Sequence, residues 1–579
     1  MTRTIRGPVA LITAAIALGV LSATPAAAQT GGAQAAQALP RDVDAAMRTI
    51  NGARIRAHLR YLSTDLLEGR GTGQRGAELA ADYIATYLEI SGLWRGATST
   101  SYLQRVPLVG AETQPESTLV FAPTAGAAAT AMKYKDDFVL WSETQQPVVE
   151  SSGELVFVGH GVVAPEFKWD DYKGLDVKGK VLVMLVDDPP SEDPAHFGGK
   201  ARTYYGRWTY KYEIAAKKGA VGAILIHTDA SAGYGWDVVR NSWARERAFN
   251  ELDPNAPAPL KQAGWVTETA GRALLKLAGQ DFDTLRTAAA KADFAPVALK
   301  VTSTARVVSK VRKFDSANVI AYVPGTDDTL KDQAVIVTAH YDHLGIDPNA
   351  EGDKIYNGAY DNASGVATML ELARAFRLAS VKPRRSVVFI AATGEEMGLR
   401  GSQYYAEHPT FPAGKIAANF NLDGVSVLGV TKDMSFLGGD RSTLKTWLDE
   451  AAREFDFTIT PDAHPEQGSF YRSDHFNFAK IGVPAISIEH GQLFEGHDAA
   501  WGETHWKDYQ ENKYHRPADQ YDPNWDLKGA EKTAMITFFL TYRAANADTL
   551  PSWNPGDEFG AARESAIKAA GTASGSTGK

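Results

Sequence analysis

Acidic residues and histidines follow the ends of three predicted buried strands in the C-terminal half of the chain. They are His340 and Asp342 after 334–339, Glu395 and Glu396 after 386–392, and Asp423 after 417–422. The carboxyl ends of strands in an open α/β sheet meet at one edge, where the loops form a crevice, so these side chains are expected to converge. Imidazole nitrogens and carboxylate oxygens bind zinc, and hydrolytic zinc sites keep one position open for water. The pattern therefore predicts a hydrolytic metal site.

Asp361 is predicted to bridge two metal ions. Two-metal hydrolases hold their ions roughly 3.5–4 Å apart, which requires a shared carboxylate. Asp361 lies in 357–365, a segment of small residues that lets the backbone approach the site, and a predicted helix follows directly. The sequon at 362–364 is interpreted as part of this metal loop, because a glycan there would obstruct the site.

An α/β sheet is the element that would position these residues. From Asn318 onward, apolar β-rich runs alternate with helical stretches, which is typical of a mixed, mostly parallel central sheet flanked by helices. The run 334–339 predicts a buried strand, and 365–378 predicts an amphipathic helix. The segment 42–93 has helical spacing, and its glycine cluster at 68–73 is interpreted as a structural loop.

The length of 579 residues exceeds what one hydrophobic core usually organises. Short β-rich runs between about 153 and 305 predict an inserted domain. The expected organisation is a signal peptide at 1–28, a flexible lead-in at 29–40, a first catalytic part at 41–150, an inserted domain at 151–306, a second catalytic part with the metal site at 307–550, and a flexible tail at 551–579.

Composition and the N-terminus limit the partners and the compartment. The net charge of −9 without a Lys/Arg run gives nucleic-acid binding no basis, and the absence of cysteine excludes disulfides and thiolate ligands. Arg3 and Arg6 precede an apolar run that ends before small residues at 26–28, which predicts a signal peptide. We expect an exported protein, periplasmic or secreted, without membrane contact after cleavage. The alternative, a membrane anchor, is disfavoured because the run is shorter than the roughly 20 residues a spanning helix needs.

Several segments carry a family resemblance. They are 339–343 (Ala-His-Tyr-Asp-His), 360–365 (Tyr-Asp-Asn-Ala-Ser-Gly), 393–402 (Thr-Gly-Glu-Glu-Met-Gly-Leu-Arg-Gly-Ser), 421–423 (Asn-Leu-Asp) and 514–519 (Tyr-His-Arg-Pro-Ala-Asp), with 67–73 and 473–476 as further motifs. In this order they resemble the di-zinc exopeptidases that include aminopeptidase Y, bacterial leucine-type aminopeptidases and glutamate carboxypeptidase. The segment 159–181 resembles the protease-associated domain found within several exopeptidases. The resemblance implies the zinc exopeptidase fold, peptide substrates and two Zn²⁺ per chain, with Co²⁺ or Mn²⁺ as substitutes.

The resemblance also implies a role for each site residue. One zinc would be held by His340, Asp361 and Glu396, and the other by Asp361, Asp423 and His515. Glu395 would be the base that activates water, and Asp342 would accept a hydrogen bond from the imidazole of His340. Tyr514 or Tyr471 would donate to the oxyanion, and their spacing does not decide between them. The remaining histidines are expected to be structural: His343, His475, His490, His497 and His505. Asp474 is expected to organise the site without binding metal.

The leading functional hypothesis is aminopeptidase activity, the release of N-terminal residues from peptides. Carboxypeptidase or dipeptidase activity is the alternative, which a basic cluster in the pocket would favour; the sequence localises no such cluster. A glutaminyl-cyclase-like transferase uses one zinc and is disfavoured by the complete set of five ligands. A receptor-like binding module, such as the transferrin-receptor ectodomain, is disfavoured because every metal residue is present. Oligomeric state is not predicted.

Overall fold

The computed structural model describes residues 38–125, 128–232, 235–243 and 245–574. The predicted signal peptide and nearly all of the predicted lead-in lie outside these residues. Within the described part of the chain, no helix combines the length and apolar character needed to cross a membrane.

The helices and strands alternate along most of the chain. The strands are β1 Trp94–Arg95, β2 Leu103–Thr113, β3 Thr118–Pro123, β4 Thr130–Ala131, β5 Phe138–Trp141, β6 Val148–Phe157, β7 Val163–Ala164, β8 Trp169–Asp170, β9 Val181–Leu185, β10 Gly222–Ile226, β11 Arg247–Asn250, β12 Gln262–Val266, β13 Val297–Val323, β14 Ala334–His340, β15 Gly345–Ile346, β16 Ile355–Tyr356, β17 Ser386–Ala392, β18 Ile416–Asn421, β19 Asp433–Leu437, β20 Thr458–Thr460 and β21 Ala485–His490. The α-helices are α1 Arg41–Met47, α2 Gly52–Leu62, α3 Arg75–Ile90, α4 Trp208–Lys217, α5 Asp229–Ala232, α6 Trp236–Trp243, α7 Glu268–Leu277, α8 Phe282–Ala289, α9 Gly365–Leu378, α10 Arg400–Glu407, α11 Lys445–Glu454, α12 His475–Lys480, α13 Ala499–Asp508, α14 Lys528–Asn546 and α15 Gly560–Ser574.

The first sheet has four parallel strands at its centre. They are β17, β14, β18 and β21, side by side in this order. Beyond β17 lies β13, which runs antiparallel to it, and β2 follows. Beyond β21 lies β19, also antiparallel. The prediction of a mixed, mostly parallel central sheet is confirmed.

Helices cover this sheet and bury its apolar strands. α9 and α14 lie beside each other on the central strands, and α2 contacts both helices. Phe376 of α9 stacks on Phe538 of α14 with ring centroids 4.1 Å apart. α9 is therefore buried around nearly its whole circumference, more than the amphipathic pattern predicted.

A second sheet contains most of the strands in the segment that was predicted to be an inserted domain. Its strands β6, β9, β10 and β12 are parallel, and β5 pairs antiparallel with β12. β3 and β6 pair with the first half of β13, and the same strand then continues into the first sheet. The second sheet thus begins at Thr118 and ends within β13, whereas 151 and 306 were the expected boundaries. The difference arises because β13 passes between the sheets without a turn that would mark a boundary.

The C-terminal segment at 551–579, expected to be flexible, is helical over α15 and packs on the first domain. Arg563 is 2% exposed and donates to the carbonyl oxygens of Pro551 and Ile416. The indole N–H of Trp553 donates to the Gly482 carbonyl at 2.9 Å. The alanines that suggested a loose tail are strong helix formers, and here they build a packed helix.

Candidate active site

The predicted metal ligands and Glu395 lie together at the carboxyl ends of the central strands. His340 ends β14, Glu395 and Glu396 follow β17, Asp423 follows β18, Asp361 lies in the π-helical turn Ala359–Ser364 ahead of α9, and His515 follows the π-helical turn Tyr509–Lys513. This edge is where open α/β sheets bind ligands.

Asp361 lies between the two histidines. The Nε2 atom of His340 is 3.3 Å from Asp361 Oδ1 and 3.1 Å from Asp423 Oδ1. The Nε2 atom of His515 is 3.2 Å from Asp361 Oδ2 and 3.2 Å from Glu396 Oε2. Asp361 thus offers a different oxygen to each histidine. It is shared by a group with His340 and Asp423 and by a second group with Glu396, which both His343 and His515 approach.

This grouping corrects the pairing that the resemblance implied. Glu396 was assigned with His340, and Asp423 with His515; the structure exchanges the two acids. The reason is geometric, because the imidazole of His340 is directed at Asp423, which follows the neighbouring strand β18. Glu396 instead faces His515.

The spacing of the ligand atoms fits two tetrahedral ions. Zn–N and Zn–O bonds of about 2.0–2.1 Å place neighbouring ligand atoms of a tetrahedron roughly 3.3 Å apart. The four histidine–carboxylate distances, 3.1 to 3.3 Å, match that edge length. Each group supplies three ligands, the number that leaves a position for water at catalytic zinc sites.

The carboxylates at the site stabilise positive charge on the two histidines. Burial lowers the pKa of His340 and of His515, but the facing carboxylates, led by Asp423 for the first and Glu396 for the second, raise both pKa values well above the ordinary range. Burial opposes ionisation of Asp361, yet its contacts with both histidines hold its pKa well below the usual value. The cluster is therefore anionic in character and suited to cations.

A network of hydrogen bonds fixes the Asp361 loop. The Asp519 carboxylate accepts from the backbone N–H groups of Tyr360, at 2.9 Å, and Asp361, at 3.0 Å. The Asn362 side chain donates to the Leu422 carbonyl at 2.9 Å, and the Asp361–Asn362 peptide bond is cis. A Cβ on Gly365 would lie 2.5 Å from the same Leu422 oxygen, so only glycine permits this approach. Asn362 is fully buried, in agreement with a structural role for the sequon.

Asp342 positions Glu395, which differs from its predicted role. The Nδ1 atom of His340 lies 3.2 Å from the backbone carbonyl oxygen of Asp342, so the main chain contacts the imidazole in place of the carboxylate. The Asp342 carboxylate accepts instead from the Thr72 hydroxyl at 2.8 Å and from the backbone N–H of Glu395 at 3.2 Å.

Glu395 lies in a setting that favours proton transfer. Burial raises the pKa of its carboxyl well above the ordinary value, and the charges of Glu396 and Asp423 add to this while His340 opposes it. A general base works best when its pKa lies near the operating pH.

The two tyrosine candidates lie in different surroundings. The Tyr471 hydroxyl donates to Glu558 at 2.8 Å and accepts from Arg441 at 3.2 Å, so it is occupied away from the metal ligands and the oxyanion role predicted for it is not supported. Tyr514 stacks on the His515 ring at 3.9 Å and is 43% exposed to the cavity.

Sequence reasoning underrated several residues that contact the ligands. His343, expected to be structural, places Nδ1 2.8 Å from Glu396 Oε1. The Ser473 hydroxyl donates to Asp423 Oδ2 at 2.6 Å. Asp474 accepts from Ser402 at 2.5 Å, consistent with an organising role. The signal for His343 and Ser473 was their position inside the quoted motifs.

Arg70 was placed in a structural loop, and that loop reaches the site. Its guanidinium is buried and donates to the carbonyl oxygens of Tyr341 at 2.8 Å, Asn357 at 2.7 Å and Gly358 at 2.9 Å, and also to Leu62. These carbonyls belong to the segments that carry the ligands His340 and Asp361.

The ligands open into a cavity of about 1580 Å³ between the two sheets. Trp141, Trp208 and Trp243 line it from the inserted domain, and Glu489 lines it from β21. The inserted domain thus forms part of the cavity wall.

Residues 318–539 match the sequence profile of peptidase family M28. The match covers less than half of the chain. It contains all five candidate ligands, Glu395 and the central parallel strands. The fold and the family resemblance predicted from the motifs are confirmed.

Individual relatives of the M28 segment match over limited lengths. Aminopeptidase YwaD of Bacillus subtilis (strain 168) is 31% identical over 192 residues, which cover 32% of this chain and 36% of that protein. A probable zinc metalloprotease of Pyrenophora teres f. teres (strain 0-1) is 42% identical over 108 residues, 18% of this chain and 22% of the relative. The matches therefore span about a fifth to a third of these relatives' length. The solved structure of an aminopeptidase from Aneurinibacillus sp. strain AM-1 covers 89% of this chain and 98% of its own, with 20% identity and a TM-score of 0.46.

Proposed function

We propose that this protein is a zinc-dependent exopeptidase, and specifically an aminopeptidase that holds two zinc ions. The observation that carries the proposal is the convergence of two imidazoles on the shared carboxylate of Asp361, each with a second acid at hydrogen-bond distance. The match of residues 318–539 to the model of peptidase family M28, and relatives named as an aminopeptidase and a zinc metalloprotease, support the same activity.

His340, Asp361 and Asp423 would hold one ion, and Asp361, Glu396 and His515 the other. Bound zinc supplies a Lewis acid for the scissile carbonyl and lowers the pKa of water. Glu395 takes the proton of the attacking water and returns it to the leaving amine. Asp342 keeps Glu395 in place through its backbone N–H, and Tyr514 remains the proposed donor to the oxyanion.

Recognition of a free amino terminus is supported by acids on one side of the ligands. Glu489 lines the cavity on β21, and its carboxylate accepts from Ser487 at 2.9 Å. Burial and the charge of Asp423 raise the pKa of Glu489 to about 8. A substrate ammonium would relieve this unfavourable setting by pairing with Glu489.

We further propose that the protein is exported, on the strength of the charged start, apolar run and small-residue site at the N-terminus. One family of matched relatives is named vacuolar membrane protease, so the compartment needs its own test. Fractionation of the source cells with N-terminal sequencing of the mature protein would provide it; cleavage after Ala28 is expected, and an intact N-terminus in the membrane fraction would contradict export.

The activity is tested by assaying zinc-loaded protein against aminoacyl-nitroanilides and N-blocked dipeptides. We expect hydrolysis of the free-amine substrates, and a loss of about 10²–10⁴-fold in kcat for Glu395→Gln at unchanged zinc content. Cleavage of blocked substrates alone would contradict the aminopeptidase assignment and favour the carboxypeptidase or dipeptidase alternative. A single zinc per chain under saturating conditions would favour a cyclase-like enzyme.

A further inference from the structure

Two arginine side chains meet at the cavity wall near the metal ligands. Arg247 comes from β11 and Arg400 from the start of α10. A Cβ built on Gly398 would lie 3.4 Å from Arg400 Nη2 and 3.7 Å from Arg247 Nη2, so both guanidinium groups reach the same spot. All three residues line the cavity.

Among the described residues, neither arginine has a direct ion-pair partner. In the part of the chain that the structure describes, no carboxylate lies within ion-pair distance of either guanidinium, and the Nε atom of Arg247 is buried without a hydrogen-bond partner. The charge of Glu143 acts on Arg400 from beyond that distance. Arg400 donates only to the Met397 carbonyl and the Gln403 amide oxygen, both neutral groups. Burial lowers the pKa of both arginines, and a directly bound anionic ligand would offset the cost of desolvating their charges.

Aromatic rings hold both guanidinium groups in place. Arg247 lies over the Trp243 ring at 4.9 Å, and Arg400 lies over the Phe249 ring at 5.0 Å. Trp243 is itself stacked on Trp141 at 3.6 Å. The arginine pair is therefore held against a rigid aromatic wall, which lowers the entropy cost of binding a ligand.

The pair lies close to the proposed base, on the side of the ligands opposite Glu489. The Arg400 backbone N–H donates to the Gly394 carbonyl at 2.9 Å, next to Glu395. Arg400 follows β17 and Glu489 lies on β21, and these strands flank β14 and β18. A group bound by Arg400 would therefore lie on the β17 side of the metal ligands.

We propose that Arg247 and Arg400 bind a carboxylate of the peptide substrate on the leaving-group side of the scissile bond. This deepens the proposed exopeptidase function and rests on it. A basic pair in the cavity is also the feature expected of the carboxypeptidase or dipeptidase alternative, which the assay with N-blocked dipeptides separates from an aminopeptidase. The carboxylate comes either from the C-terminus of a short peptide or from an acidic side chain beyond the scissile bond. Paired guanidinium groups suit such ligands, because arginine donates to both carboxylate oxygens.

The test compares peptides that differ only in this charge. X-Ala-Ala as free acid, X-Ala-Ala-amide and X-Ala-Glu-amide are assayed with zinc-loaded enzyme, X being the residue preferred among aminoacyl-nitroanilides. We expect kcat/KM for the free acid to exceed that for the amide by about 10–100-fold, the usual effect of a charge-assisted hydrogen bond. If kcat/KM for X-Ala-Glu-amide returns to the free-acid value, an acidic side chain of the substrate can also supply the carboxylate that the arginines bind.

Variants assign the preference to the arginines. Arg247→Met and Arg400→Met should lower the free-acid kcat/KM toward that of the amide, and Arg247→Lys should retain part of the difference. Arg306→Met removes an arginine that pairs with Glu150 on the inserted domain and should keep the full preference. Calorimetric binding of the free acid and the amide to Glu395→Gln should show the same ratio without turnover.

Equal kcat/KM and equal affinity for acid and amide in the wild type would overturn the carboxylate subsite. A preference that persists in both arginine variants would overturn it as well. The proposed function fails separately, if zinc-loaded enzyme hydrolyses no free-amine substrate at all; the calorimetric comparison then still decides whether the arginines bind a carboxylate.

Discussion

Arg70 holds together the loops that carry the metal ligands. Its buried guanidinium donates to the carbonyl after His340 and to two carbonyls that precede Asp361, so one side chain links those two loops. Burial lowers the pKa of Arg70 to about 10, and the nearby acids, Asp519 first among them, oppose the shift. The residue therefore acts by positioning the ligands.

We predict that Arg70→Met lowers the free energy of unfolding by roughly 3 kcal/mol or more, because several buried carbonyl groups lose their donor. Zinc affinity should fall about 10–100-fold, as is usual when groups that orient ligands are lost. Chemical denaturation and a competitive zinc titration measure the two effects. Arg60→Met, at an exposed position of α2, is the matched control. Unchanged zinc affinity in folded Arg70→Met would refute the positioning role.

The identities of the site residues could be predicted, but their partners could not. Strand ends and small-residue loops indicate which side chains reach the sheet edge, which is how His340, Asp361 and Asp423 were identified. Whether Glu396 faces His340 or His515 depends on side-chain directions that no local pattern encodes. For the same reason Tyr471, which is engaged by Glu558, was a reasonable candidate and is not supported.

At the scale of elements, the contact between α2 and α3 depends on a neutral histidine. His58 of α2 lies 2.8 Å from the Tyr83 hydroxyl of α3 and packs edge-on against Tyr87 at 4.2 Å. Burial lowers the pKa of His58 from 6.5 to about 4.

We predict that His58 makes the protein less stable in acid. As the pH falls below 6.5, the unfolded chain binds the proton first, so stability decreases until the pH reaches about 4 and then levels off. The pKa difference corresponds to a loss of about 3 kcal/mol. Between pH 6.5 and 4, the decrease in the free energy of unfolding should be smaller in His58→Gln than in the wild type by about this amount. His408→Gln, an exposed substitution at the C-cap of α10, should show the same decrease as the wild type. Equal slopes in wild type and His58→Gln would rule out this role.

The elements that were predicted well are those with a strong local signal. The parallel strands of the first sheet are short apolar runs bounded by polar loops, and α9 has clear helical spacing. The predicted boundaries of the inserted domain differ from those of the second sheet. The sequence does not mark the change of sheet, because β3 to β5 resemble the strands before them and β13 runs through both sheets. The boundaries of the second sheet are therefore set by tertiary packing and not by a local sequence signal.

For the whole molecule, bound metal would tie together segments that are distant in sequence. The two ligand groups join the ends of β14, β17 and β18 to the loops that carry Asp361 and His515. Ions bound only by the folded state stabilise it, by about 2.7 kcal/mol per site when free metal is 100 times the dissociation constant.

We therefore expect chelation to lower the melting temperature by several degrees and added zinc to restore it. Differential scanning calorimetry with and without chelator measures this. Asp361→Ala, which removes the shared carboxylate, should show little response to either treatment. A melting temperature independent of chelator in the wild type would contradict a structural contribution from metal.

The most direct measurement is anomalous X-ray scattering at the zinc edge from crystals grown with zinc. Two peaks per chain are predicted, one enclosed by His340, Asp361 and Asp423 and the other by Asp361, Glu396 and His515. A single peak, or peaks away from Asp361, would contradict the shared-carboxylate centre on which the proposed chemistry depends.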